Sequence, residues 1–352
     1  LLSRGLGDVY KRQVFIIDNH NMNYIQLSII IPVFKVKDYV RKCLESVLAI
    51  SNLNYEIIVV QDVHADNSLE DVPDLLNNPL IRICNQKNAG LSAARNAGLF
   101  LAKGEFVYFM DSDDYIDPIA FSNFFVRYYP LSPDILVGAF KYVNENGEGL
   151  EQQNNQLVFT AQGVFKGQDY LLRYLSLPMV WLNIYKRSFC LDNQLDFKTG
   201  IYFEDNEFTP RALYLAQDVC VTSSPFYYYR IRSGSLAQQM FDGKKLEDSV
   251  FVANSLLDFS NYRVKEKRMK SYFAERALSI FFGTLGFFLQ NHFVNKEQER
   301  EINLLLRRVS LLANLPFHFR SMLLFHRITL RGMLYVCLLY TSDAADDMQC
   351  VD

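Results

Sequence analysis

Cysteine is scarce and unpatterned in this chain of 352 residues. Its six copies, Cys43, Cys84, Cys190, Cys220, Cys337 and Cys350, form no C-x-x-C pair and no Cys/His spacing, so neither a zinc site nor a disulfide framework is indicated. Such thiols suit a reducing compartment such as the cytosol. Charge of one sign is lacking as well: 36 basic against 39 acidic side chains leave a net charge of −3, and nothing global points to nucleic acid. Long hydrophobic runs are absent near the N-terminus, where the apolar stretch 14–17 gives way to polar residues 18–23, unlike a secretory leader; no export is expected. Residues 277–295 carry no charge, yet Gln290, Asn291 and His292 leave only the thirteen positions 277–289 strongly apolar. That is short for a bilayer, so a buried helix is expected there. No internal repeat is visible.

Half of the residues are hydrophobic, ample for a core, and the length exceeds one ordinary domain. Residues 27–33 (LSIIIPV) form a continuous apolar run, the pattern of a strand buried on both faces. Val40, Cys43, Leu44, Val47 and Leu48 then repeat with a helical period. Further strands are predicted at 55–60, 81–84, 106–110, 134–142, 219–221 and soon after at 226–232, with helices near 92–102 and 168–177 and a polar loop at 144–155. This alternation predicts a doubly wound α/β sheet ending near residue 240, followed by a helical C-terminal region over 241–335. Residues 1–13 and 336–352 resemble translated adapter sequence and are set aside as non-native segments.

The strand at 106–110 runs straight into Asp111, Ser112, Asp113 and Asp114. Ligands of open α/β sheets bind beyond the carboxyl ends of strands. Hard cations such as Mg²⁺ and Mn²⁺ take carboxylate oxygens together with substrate phosphates. Acids packed this closely repel one another, and a cation would relieve them. Taken alone, the segment also reads as a solvated Asx-rich turn that ends a strand, a common feature.

Five segments in order, S-I-I-I-P-V-F at 28–34, Q-D-V-H-A-D-N-S at 61–68, N-A-G-L-S-A-A-R-N-A-G at 88–98, D-S-D-D at 111–114 and E-D at 204–205, resemble the family-2 glycosyltransferases, an inverting group. The resemblance covers about residues 27–235 and implies the GT-A nucleotide-sugar-binding fold, a Rossmann-like mixed sheet flanked by helices. It implies that the domain spans 27–240, that Pro32, Val33, Phe34 and Asp62 face the nucleotide base, and that Arg95, Asn96, Asp111 and Ser112 belong to the donor site. It also implies that Asp113, with Asp111, holds Mn²⁺ or Mg²⁺, and that Asp205, aided by Glu204, is the catalytic base. The turn at 61–65 departs from the pattern, because Gln61, Val63, His64 and Ala65 stand where Asp, Gly, Ser and Thr are usual. A β-branched Val63 disfavours the positive φ that glycine allows.

From the residues themselves, Arg95 can either reach a pyrophosphate or pair with the acidic cluster. Glu204 and Asp205 can equally be helix-start acids favoured by the dipole. Trp181, the sole tryptophan, can stack on an acceptor sugar or fill the core. Either Arg230 or Arg232 can add a cation over a diphosphate.

Residues 302–335 contain no acid, while Arg307, Arg308, Arg320, Arg327 and Arg331 stand among many apolar side chains. Such a segment can lie in an anionic membrane surface or pack on the catalytic domain. The expectation is therefore a metal-dependent inverting glycosyltransferase in the cytoplasm, with a peripheral position at the inner face of the cytoplasmic membrane as the further option, moving a sugar from a nucleoside-diphosphate donor, UDP by preference, to a saccharide or lipid-linked saccharide in surface-polysaccharide synthesis. The alternatives are a non-catalytic nucleotide-sugar-binding module and a sugar nucleotidyltransferase. The latter needs a Gly-rich phosphate loop after the first strand, and residues 32–37 have none.

Overall fold

The computed structural model describes residues 24–62, 67–87, 90–154, 159, 161–174, 178–232, 242–289 and 294–310. His64, Asp66, both terminal segments and the arginines at 320, 327 and 331 lie outside the described residues, as does the side chain of Asp62.

Apolar runs rich in β-branched residues form the expected parallel strands. These are β1 (Leu27–Val33), β2 (Tyr55–Asp62), β3 (Ile81–Gln86) and β4 (Phe106–Phe109). They lie in the order β3-β2-β1-β4 and are followed across the sheet by β8 (Asn183–Lys186), β6 (Ile135–Val143), β9 (Val219–Arg230) and β5 (Tyr115–Ile116). The short β7 (Gly163–Phe165) pairs with β9 off this path. β8 runs antiparallel to both β4 and β6, and β9 is parallel to β6. The sheet is thus mixed, as the family resemblance implies, rather than a plain parallel doubly wound sheet. The segments 219–221 and 226–232, read as separate from sequence, are joined through Pro225 in one strand that ends at Arg230, and the register against β6 shifts beside Pro225.

Alternate strand residues feed the two faces. Ile29, Ile31 and Val33 pack with Val40, Cys43, Leu44 and Val47 of α1 (Lys37–Leu48), the residues whose spacing predicted that helix. Ile30, Ile58 and Val60 face Ala94 and Leu99 on the other side. The remaining helices are α2 (Pro73–Leu76), α3 (Gly90–Leu101), α4 (Pro118–Tyr128), α5 (Glu151–Asn154), α6 (Gly167–Arg173), α7 (Arg187–Asp192), α8 (Glu204–Leu215), α9 (Gly243–Arg263), α10 (Lys267–Leu289) and α11 (Lys296–Ser310). α5 sits inside the expected polar loop, where the Asn154 amide donates to the carbonyl of Tyr142 and accepts from its N–H.

Apolar residues of α9, α10 and α11 join the same core as Ile30, Val107 and Phe109. By length and composition α10 is able to cross a membrane, but 67% of its apolar window is buried inside the protein, in line with the expected buried helix. It is longer than the apolar run because the charged residues 267–276 supply its first turns.

α3 lies close to β1 because of Gly98. A Cβ there would stand 2.2 Å from Cγ2 of Ile30, inside contact distance. That close approach lowers the first turns of α3, and Arg95 with them, onto the carboxyl end of the sheet.

Candidate active site

β4 ends in the buried Phe109, and the N–H of the buried Met110 that follows donates to the carbonyl of Ile30 at 2.9 Å, so the acidic turn begins at the carboxyl edge of the sheet. Within it the three acids face different ways. Asp114 points inward, 1% exposed, accepting from the Tyr227 hydroxyl at 2.6 Å and the Arg230 N–H at 2.7 Å. Burial, reinforced by Asp113, holds its carboxyl well above the ordinary range. Asp111 and Asp113 keep 26% and 25% of their side chains exposed.

Arg95 is the hub of the site. Its guanidinium, 2% exposed, donates from Nη1 to Oε1 of Glu204 at 2.8 Å and Oδ1 of Asp205 at 2.9 Å. Nη2 donates to Oδ1 of Asp111 at 3.0 Å. Burial opposes the arginine's charge, and the facing carboxylates of Asp205, Asp111 and Glu204 more than offset it, so its pKa lies above the usual value. Glu204 and Asp205 occupy the first turn of α8, where the helix dipole favours acids. The helix starts there because Phe203 takes a left-handed conformation, φ 62° and ψ 30°, that breaks the preceding chain. The other Asp205 oxygen, Oδ2, accepts the Val180 N–H at 3.0 Å. Burial raises the Asp205 carboxyl to about 6, Arg95 pulls against this and Glu204 adds to it. Asp111 is likewise raised by burial to about 6, lowered in part by Arg95 and pushed up by Asp113.

On the outer side, Arg232 Nε donates to Oδ2 of Asp113 at 2.8 Å. Its guanidinium lies over the Tyr39 ring at 5.1 Å, and Arg230 stacks on the same ring at 4.9 Å. Arg232 therefore borders Asp113 on an aromatic platform from α1 that it shares with Arg230 and that nothing in the sequence marks.

The structure brings Asp111, Arg95, Glu204 and Asp205 into direct contact and sets Asp113 beside them. At the end of β1, Pro32 and Val33 pair in register with Val60 and Gln61, while Phe34 is 46% exposed. Asp62 closes β2 opposite Gln86. Ser112 is buried. Asn96 is engaged by Phe197: its side chain donates to the carbonyl of Phe197 at 2.8 Å and accepts from its N–H at 2.9 Å. Trp181 is corrected from acceptor contact to core. It is 4% exposed and stacked on Tyr227 and Tyr229, at 4.3 and 5.3 Å between ring centroids, which leaves no ring face for a sugar. Sequence reasoning missed Phe197 and the Val180 N–H, since a loop aromatic and a backbone donor carry no signal of their own.

Among the described residues no group of three or more His, Cys, Asp or Glu side chains is placed to hold a metal ion. Asp111 and Asp113 nonetheless fit Mg²⁺ or Mn²⁺, which bind through one or two carboxylates and complete their shell with substrate phosphates and water. Both acids are partly exposed, and Asp113 adds its repulsion to the burial that raises Asp111.

The chain matches the profile of "Glycosyl transferase family 2" over residues 28–189, the span from β1 to α7. It is 31% identical over 224 residues to the glycosyltransferase GlyA of Streptococcus pneumoniae, covering 60% of this chain and 32% of GlyA. It is 29% identical over 231 residues to the uncharacterized glycosyltransferase YibD of Escherichia coli, covering 62% of this chain and 65% of YibD. The chain thus spans less than two thirds of the length of both relatives. Its fold superposes on the crystal structure of S. aureus TarS in complex with UDP-GlcNAc with a TM-score of 0.71 and 24% identity, covering 91% of this chain and 92% of that one. With a mixed sheet of this order and an acidic turn at its carboxyl edge, the chain has a GT-A-like fold, and its residues 28–189 match the family 2 glycosyltransferases.

Proposed function

We propose that the protein transfers a sugar, with inversion, from a nucleoside-diphosphate donor to a hydroxyl of a saccharide or lipid-linked saccharide. The observation that carries this reading is the joining of Asp111, at the donor edge of the sheet, to Glu204 and Asp205 through one buried guanidinium. Inverting transfer needs a base on the face opposite the leaving group. Asp205 takes the proton from the acceptor hydroxyl as its oxygen bonds to the anomeric carbon, while the bond to the diphosphate breaks and its electrons leave with the phosphate. Glu204 orients the acceptor or the base. Asp62 and the end of β1, Pro32 to Phe34, receive the nucleotide base. A UDP-sugar is the favoured donor, supported by the likeness to TarS, which was solved with UDP-GlcNAc.

Asp113 and Asp111 would hold Mn²⁺ or Mg²⁺. When bound, the ion supplies positive charge to the leaving diphosphate. Arg232, already at Asp113, is placed to add a second cation. We place the reaction on the cytoplasmic side of the membrane, within surface-polysaccharide synthesis; of the basic stretch 302–335 expected at the membrane, α11 buries Ile302, Leu305, Leu306 and Val309 in the core, and residues 311–335 lie outside the described residues.

The test is a donor screen with Mn²⁺ that reads nucleoside-diphosphate release across UDP-, GDP- and dTDP-sugars with a panel of saccharide acceptors. Acceptor-dependent release from a UDP-sugar is expected. Donor binding by calorimetry without release from any donor would favour the non-catalytic binding module instead. Pyrophosphate formation from a nucleoside triphosphate and a sugar phosphate would favour the nucleotidyltransferase.

A further inference from the structure

We infer that Arg95 is a positioning residue, not a phosphate ligand: it ties the donor-side carboxylate Asp111 to the base pair Glu204 and Asp205, so that occupancy of the donor site is felt at the base. The inference rests on the reading of Asp205 as base given above.

Three features of the guanidinium carry it. Both Nη atoms are engaged, by Glu204, Asp205 and Asp111 at 2.8, 2.9 and 3.0 Å, and the third nitrogen, Nε, is buried with no partner among the described residues. The side chain is 2% exposed, so a diphosphate would reach it only by displacing a carboxylate. One face of the group is closed by the Phe197 ring, 5.3 Å from Cζ.

That ring also fixes the partner helix. Phe197 stacks on Phe208 of α8 at 4.1 Å and 9°, and Asn96, next to Arg95 on α3, clamps the Phe197 backbone through both its N–H and its carbonyl. The cation and the helix bearing its two acids are therefore registered by the same aromatic pair. A planar fork with two engaged Nη atoms can hold three carboxylates in one plane, which a lysine ammonium cannot. One positive charge faces three acids. A donor complex that draws the charge of Asp111 to itself leaves the guanidinium to Glu204 and Asp205 alone, and the linkage runs equally in reverse.

The charged and titratable groups facing Asp205 are Arg95 on α3, Asp111 beyond β4, Glu204 on its own helix and Tyr185 on β8. Of these, Arg95 alone pulls the base towards its ionised form.

The test compares Arg95→Met and Arg95→Lys in the full chain with the wild type. It measures UDP affinity with Mn²⁺ by calorimetry and the pH profile of kcat with the donor found in the screen. Both variants are expected to lose about tenfold or more in kcat, while UDP affinity changes by less than about threefold. In Arg95→Met the acid limb of the kcat profile is expected to move up by about one pH unit, and Arg95→Lys to restore part of that position without the rate. A fall of about tenfold or more in UDP affinity with the acid limb unmoved would make Arg95 a phosphate ligand and overturn the inference. If Arg95→Met lacks a cooperative melt, the lysine variant decides by the same split between kcat and affinity.

Asp205→Asn is assayed in parallel. Wild-type transfer by that variant refutes the base assignment itself. Abolished transfer in Asp205→Asn, with an unmoved limb in the Arg95 variants, refutes only the positioning role.

Discussion

Asp205 holds its charge against burial and against Glu204, with Arg95 as its support, and its carboxyl sits at about 6 instead of in the ordinary aspartate range. On the proposal that Asp205 is the base, which works only when ionised, kcat is expected to fall as the pH drops through about 6 and to level off above it, as a kcat profile will show. Asp114 illustrates the opposite use of the same side chain. Replacing Tyr227 with Phe removes one of the two hydrogen bonds to its buried carboxyl, and a loss of about 1–3 kcal/mol is expected from denaturant unfolding. At this scale the sequence shows which side chains matter but not whom they meet. Asp111, Glu204 and Asp205 stand out by type and order, whereas Arg95 and Asp205 are 110 positions apart and nothing local links them. Trp181 shows the converse: its chemistry suits a sugar, and only the packing of Tyr227 and Tyr229 reveals that its faces are taken.

Two helices deliver the site, and each depends on one backbone detail. α3 reaches β1 because residue 98 has no Cβ; Gly98→Ala would place a methyl 2.2 Å from Ile30 and push α3 and Arg95 outward. The expected result is a loss of about 1–3 kcal/mol in stability together with reduced turnover, measured by thermal melting and by nucleoside-diphosphate release. α8 starts at Glu204 because Phe203 accepts a left-handed φ of 62°, a costly conformation for an aromatic residue, immediately before the two acids. The strands that carry donor-side residues were legible as unbroken apolar runs, since strands buried on both faces leave no polar interruption. β9 was not, because Ser223, Ser224 and Pro225 read as a break although the strand continues through a register shift. The antiparallel insertion of β8 between β4 and β6 was hidden too, as pairing direction leaves no local trace.

Across the whole molecule, the C-terminal helices are part of the catalytic core, not an appendage resting on it. Leu256, Leu257, Phe273, Phe281 and Leu305 pack into the cluster that contains Ile30, Val107 and Phe109. A chain ended at residue 240 would expose that face of the sheet at about 1.5–3 kcal/mol per large side chain, and is expected to lack a cooperative thermal transition. A soluble monomer melting near the wild-type temperature would show that the sheet stands alone. The integrated account makes Asp205 the base of a glycosyl transfer prepared by the Asp111 edge. Its most direct test is acceptor-dependent nucleoside-diphosphate release by Asp205→Asn beside the wild type, with donor affinity measured on the same samples. The account predicts a fall in turnover of about a hundredfold or more with donor affinity nearly unchanged; turnover at the wild-type rate would contradict it.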